Sequence, residues 1–131
     1  MNKINIPVLS NDTGHYSRFE EACFTLDEVN GMYICARQDA LNFRHRMSNP
    51  GYCSSWHIAG DPTLIIIRSG TLRIGLRDGS YKDFSAGDQF IARDKLPDGS
   101  VFDDKVHGHT AEVIGNEQLF AVHIKLSSLD T

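Results

Sequence analysis

Six histidines stand among the 131 residues, and their spacing decides what they can do together. His107 and His109 are two residues apart, so on a regular strand both side chains point to one face, whereas a bend at Gly108 would leave His107 in the loop and His109 alone in the interior. Two imidazoles sharing a cavity supply a base and an acid near neutral pH. His45 shares the parity of Leu41, Phe43 and Met47, the apolar side of an alternating segment, and is expected to be a hydrogen-bonded core residue. Phe120, Val122, Ile124 and Leu126 have the parity opposite to His123, which is therefore expected to face outward or to line an interface. His57 follows Tyr52 and Trp56, two aromatics that either wall a ligand pocket or pack in the core or at a dimer interface. His15 lies in a polar segment without a chemical signal, and Asp88 reads as a turn residue beside Gly87.

The elements that would position these groups are short strands. Residues 41–47 alternate with one apolar face, whose polar counterpart includes the Arg44-His45-Arg46 run, read as a solvated strand face. Residues 63–68 are almost continuously apolar and β-branched, which predicts a strand covered on both sides. Residues 71–77 alternate again, Leu72, Ile74 and Leu76 inward against Arg73 and Arg77 outward. Asp78-Gly79 predicts a tight hairpin of the type I′ kind, with partner strands at 81–84 and 89–92. A polar loop at 94–105, containing Pro97, Asp98, Gly99, Asp103 and Asp104, is a candidate lid. Strands at 107–114 and 119–126 close the chain. Residues 1–32 read as an irregular arm with one or two short strands, anchored by Phe19 and Phe24, with a turn of helix near 18–23. The expectation is one all-β, antiparallel domain, an arm at 1–32 packing on a barrel at 33–131.

Composition narrows the function classes. Net charge is −4, and the basic residues are scattered, which argues against nucleic acid as a partner. Cys23, Cys35 and Cys53 are odd in number and lack C-x-x-C spacing, the pattern of reduced thiols in a cytoplasmic protein. No basic start leads into an apolar run, and the longest strongly apolar stretch, residues 64–67, is too short to span a membrane.

The order strand, Gly70, strand, Asp78-Gly79, strand, Gly87-Asp88, strand resembles the cupin superfamily over about residues 40–126. In the first cupin motif, Gly51, His57 and Gly70 are correctly spaced, but Ala59 fills the second His slot and Thr63 the Glu slot. In the second motif Gly87-Asp88 opens correctly, Arg93 replaces Pro, Asp98 stands at the expected His position and Val113 at the Asn slot. Trp56-His57 with Gly108-His109-Thr110 is similar to small single-domain cupins of unassigned function.

The resemblance implies a double-stranded β-helix, or jelly-roll barrel, whose lumen holds a small molecule. It also implies three His and one Glu around a divalent metal such as Fe, Mn, Ni or Zn. Here His57, His107 and His109 could rebuild a three-His metal site. Otherwise His57 and His109 alone bind a small polar or acidic ligand, with metal-free acid–base catalysis, as in relatives that epimerise sugars. Trp56, Tyr52 and Thr63 are then candidate ligand contacts, and Tyr81 is a further candidate for assistance. A metal-dependent oxygenase or isomerase and a non-catalytic binding or regulatory module are the alternatives. A homodimer is expected, since paired outer sheets cover exposed strand edges.

Overall fold

The computed structural model describes residues 2–129. It contains ten strands: β1 (Asn2–Asn11), β2 (Ser17–Val29), β3 (Met32–Ile34), β4 (Ala40–Ser48), β5 (Thr63–Ser69), β6 (Thr71–Gly75), β7 (Tyr81–Phe84), β8 (Gln89–Ala92), β9 (Thr110–Ile114) and β10 (Leu119–Leu126). No helix among the described residues is long and apolar enough to cross a membrane.

Seven strands form one sheet in the order β3-β2-β1-β8-β5-β10-β4, and three form a second in the order β7-β6-β9. Residues 51–57 lie along the free edge of β9: Ser54 N–H donates to the Ala111 carbonyl at 2.8 Å, and His57 and His109 exchange two backbone bonds at 3.0 and 2.9 Å. From β4 onward the chain passes back and forth between sheets: β4 in the large one, 51–57 in the small, β5 in the large, β6 and β7 in the small, then β8, β9 and β10 in alternation. This interleaving is the double-sheet jelly roll.

The apolar interior lies between the sheets, where Leu9, Ile65, Ile67, Leu72, Ile74, Phe84 and Phe90 form one buried cluster. Phe84 stacks on Phe90 with ring centroids 4.3 Å apart. A second cluster, Ile6, Val8, Ala22, Phe24 and Ile91, sits behind the large sheet. β5 alternates between these two environments, with Leu64 against the second cluster and Ile65 in the first, which explains its continuous apolar run.

Three expectations are corrected. Residues 1–32 are not an irregular arm, and 18–23 are not helical. β1 and β2 form a hairpin paired in register from Asn2↔Leu26 to Asn11↔Ser17. The sheet is not wholly antiparallel either, because β1 joins β8 in parallel, Val8 opposite Ile91 and Leu9 opposite Ala92. Val8, Leu9 and Phe90 are fully buried there, so the hairpin is part of the body. The third correction concerns the turn at 76–80. Gly79 N–H donates to the Leu76 carbonyl and Leu76 N–H to the Ser80 carbonyl. Only Gly79 (φ 88°) has positive φ there, a three-residue loop with a glycine bulge instead of a type I′ turn.

Because Leu9 is fully buried between the sheets, Leu9→Ala should destabilise the fold by about 2–5 kcal/mol, as for other emptied core sites. Urea denaturation checks this, and a loss below about 1 kcal/mol would mean that the hairpin is only an appendage.

Candidate functional site

The reciprocal backbone pairing of His57 with His109 places both side chains on the inner face of the small sheet, with ring centroids 4.5 Å apart. Gly108 makes that approach feasible. Its φ is 90°, and a Cβ there would lie 2.5 Å from the His57 carbonyl oxygen. The same bend turns His107 away from its neighbour.

Both rings open into a cavity of about 630 Å³, a volume typical of small-molecule sites. Its floor is apolar, with Ile65, Leu72, Ile74, Phe90 and Ala92, and Thr63 stands beside them. Its other wall comes from β4 and β10, which contribute Arg44, Arg46, His123 and Lys125. This reverses two expectations. Arg44 and Arg46 are on the lumen side, while Leu41, Phe43 and Met47 are 59%, 67% and 51% exposed. His45 is exposed beside the Phe43 ring, and His123 lines the cavity. The register couples the two errors. His123 pairs with Arg44 and Val122 with His45, so fixing the face of one strand fixes that of the other.

Asp94, not among the residues expected from the sequence, organises the histidine side of the cavity. It is fully buried. Its Oδ2 accepts from Ser17 Oγ at 2.7 Å and from His109 Nδ1 at 2.6 Å, and its Oδ1 accepts from the Ala59 N–H at 3.0 Å. Three donors on two oxygens suit an acceptor-only carboxylate. The bond from Nδ1 holds His109 in one orientation and leaves Nε2 free, the arrangement that makes an imidazole a good base. A signal was available: Phe90, Ala92 and Asp94 continue one inward parity past the end of β8, and the Arg93 N–H still bonds the Leu9 carbonyl at 2.8 Å.

His57 is exposed to the cavity. Its Nδ1 bonds the Ser55 carbonyl at 2.9 Å, which fixes Nδ1 as the donor and leaves a lone pair on Nε2. Burial lowers its pKa from the ordinary 6.5, the neighbouring His109 and Arg46 add to that, and the Ser55 carbonyl and Asp94 oppose it. His123 is pushed down to about 4, first by desolvation and then by Arg46 and Arg44. Burial also lowers the pKa of Arg46.

The remaining candidates lie elsewhere. His107 is buried in the loop, where its Nδ1 accepts from the Asp103 N–H at 2.8 Å and its ring sits 6.0 Å from that of Phe102. Trp56 carries the Arg77 guanidinium over its ring at 3.7 Å, Tyr52 faces Arg46 at 5.2 Å, and Tyr81 faces Arg73 at 3.8 Å. None of these aromatics lines the cavity. Asp88 does hold its turn, accepting from the Ser85 N–H at 2.8 Å.

The donors present do not fit a divalent metal. The lining offers no carboxylate, Ala59 and Thr63 on it carry neither an imidazole nor a carboxylate, His107 is outside the lumen, and the oxygens of Asp94 are engaged. The third lumen imidazole, His123, stands between arginines. Among the described residues no group of three His, Cys, Asp or Glu is placed to hold a metal ion.

The depressed pKa of His123 gives a stability prediction. The unfolded chain takes up this proton near the ordinary 6.5 and the folded chain only near 4. The contribution is therefore complete above the unfolded value and is lost as pH falls from about 6.5 towards 4. His123→Asn should flatten the fall in urea midpoint between about pH 7 and pH 5. The smaller slope from His57, which has the same sign, should remain. An unchanged slope would place His123 in solvent.

No protein-family model and no curated protein matches the sequence. Among solved structures the chain is similar to a cupin-2 domain containing protein from Shewanella frigidimarina, at 21% identity over 64% of this chain and 68% of that one, TM-score 0.44. It is also similar to a protein from Neisseria meningitidis, at 15% over 70% and 84%, TM-score 0.46. A cupin domain from Bordetella pertussis matches at 13% over 71% and 98%, TM-score 0.48. These overlaps are partial, and the fold assignment rests on strand order. By that order, the chain has the cupin-type double-sheet jelly-roll fold.

Proposed function

We propose that the barrel takes up a small polar or acidic molecule in its lumen and moves a proton on it without a metal. The observation that carries this reading is the buried Asp94–His109 contact at 2.6 Å with the second imidazole, His57, beside it. His109 Nε2 takes a proton from a carbon next to a carbonyl, and the C–H electron pair passes into the conjugated enolate. The imidazolium so formed is stabilised by the Asp94 carboxylate on its other nitrogen. His57, neutral and with its Nε2 lone pair in the lumen, accepts a hydrogen bond from a substrate hydroxyl. Return of the proton from the His109 imidazolium to the former carbonyl carbon, as the hydroxyl proton passes to the enolate oxygen, completes an isomerisation, and return to the original carbon exchanges its hydrogen with solvent.

The test follows ligands rather than guesses a substrate. Small hydroxy and keto acids that raise the melting temperature are incubated in deuterium oxide, and exchange at the carbon next to the carbonyl is read by NMR. His109→Asn, whose amide can still donate to Asp94, should keep binding and lower exchange by about 10²–10⁴-fold. Binding without exchange in the wild type would instead make the barrel a non-catalytic ligand module.

A homodimer belongs to the same reading. β4 is a sheet edge, and its outer side, with Leu41, Phe43 and Met47 exposed beside Phe120 of β10, is an apolar surface that a second copy would cover. Sedimentation should give a dimer and Phe43→Glu a monomer. A wild-type monomer would refute it.

A further inference from the structure

The chain is acidic overall, with a net charge of −4, yet its cavity lining contains three cationic side chains and no Asp or Glu. The cations are concentrated on one wall. On the inward face of the β4–β10 pair, Arg44 stands directly opposite His123, Arg46 opposite Ala121, and Asn42 opposite Lys125. Arg44 and Arg46, two residues apart on one face of β4, place like charges side by side, which an opposite charge between them relieves.

Local partners account for only part of this charge. Lys125 reaches Asp61 at 3.6 Å at the mouth of the cavity. Arg46 bonds Ser48 Oγ through Nε at 3.0 Å, a neutral partner, and faces the ring of Tyr52. No carboxylate among the described residues pairs with Arg44 or Arg46. His123 adds an observation of its own: its Nε2 is buried and has no hydrogen-bond partner. The carboxylate nearest the site, Asp94, has both oxygens occupied on the far side of the His109 ring.

We infer that this wall is an oxyanion seat: the molecule handled by His57 and His109 carries a carboxylate or phosphate group that docks on Arg44, Arg46 and His123. Guanidinium groups present planar forks of donors suited to both kinds of oxyanion, and His123 supplies one more donor when Nε2 carries its proton. The lowered pKa of His123, to which both arginines contribute, agrees with their closeness to its ring. The inference rests on the lumen's being the ligand site and deepens that reading by naming the ligand class and the group that orients it.

Isothermal titration with inorganic phosphate, malonate and the uncharged analogue malonamide, in a chloride buffer of low ionic strength, tests it. Phosphate or malonate should bind saturably and malonamide should not, and whichever binds more tightly identifies the oxyanion. Arg44→Gln and Arg46→Gln should each weaken that anion by about tenfold or more. Arg46→Lys should restore part of the loss. Arg73→Gln, on the outer face beside Asp83 and Tyr81, should change nothing. Arg44 is exposed, so its variant reports on binding even where Arg46→Gln impairs folding. Equal affinity of wild type and the Arg44 variant, equal binding of malonamide, or no saturable binding of either anion below about 10 mM would overturn the seat. Failure of the catalytic reading looks different. Anion binding that depends on Arg44 but comes with no deuterium exchange leaves the seat standing and removes the proton transfer. Exchange that is indifferent to Arg44→Gln does the reverse.

Discussion

A carboxylate withdrawn from water must be met by donors, and in this protein the need of Asp94 for them ties three parts of the chain together. Ser17 comes from the start of β2, the Ala59 N–H from the segment after 51–57, and His109 from the start of β9. Removing any one leaves a buried polar group short of a partner, at about 1–3 kcal/mol for a neutral donor and more where charge is involved. The N-terminal hairpin is thereby part of the site as well as of the core. Through Ser17 it helps hold Asp94, Asp94 orients His109, and the backbone pairing with Gly108 at its bend fixes His57 beside it.

The large sheet is divided along its length between two uses of its inner face. On β8 and β5 that face is apolar and closes the core, with Phe90 and Ile65 buried. On β10 and β4 it becomes Ala121, His123 and Lys125, then Asn42, Arg44 and Arg46, and the interior becomes a cavity. Apolar residues on β4 point the other way. An empty apolar lumen of this size would leave its lining without packing partners, whereas a polar wall is solvated by whatever fills it. The inversion at the edge of the sheet is thus what makes a cavity out of a sandwich core.

That inversion also explains which parts of the structure were legible in the sequence. Period-2 alternation and glycine-bearing turns located β4 to β8 and β10 closely, because strand pleating and positive φ are local constraints. The facing of β4 was misread because apolar residues were assigned inward, a rule that holds for a filled core and fails at a cavity wall with an uncovered outer side. His123 followed, since its strand's direction is locked to β4 by register. The place of β1 in the body was not legible because it joins the sheet by parallel pairing with β8, a contact made over some eighty residues of sequence. Of the candidate site residues, the histidines on the motif frame were found. Asp94 was not, because one polar residue after a strand looks like the start of a loop unless its parity with Phe90 and Ala92 is followed. Of the two arrangements open to His107 and His109, strand parity and a bend at Gly108, the structure has the bend, with His107 in the loop.

The two sides of the lumen carry opposite electrostatic character, and this matters more than the identity of any one residue. Behind His109 lies the negative charge of Asp94, so a proton arriving on Nε2 creates an imidazolium that is already compensated. Across the cavity lie Arg44 and Arg46, fixed by strand pairing rather than by mobile loops. In the proposed reading a proton leaves the substrate towards Asp94 while negative charge accumulates towards the arginines. Deprotonating an acid that already bears an oxyanion would otherwise create a second negative charge beside the first, which water stabilises poorly at a carbon acid. Groups held in place on both sides supply that stabilisation without reorganising during the reaction. The carboxylate-backed imidazole on one side and the guanidinium groups on the facing wall are therefore two aspects of one electrostatic arrangement.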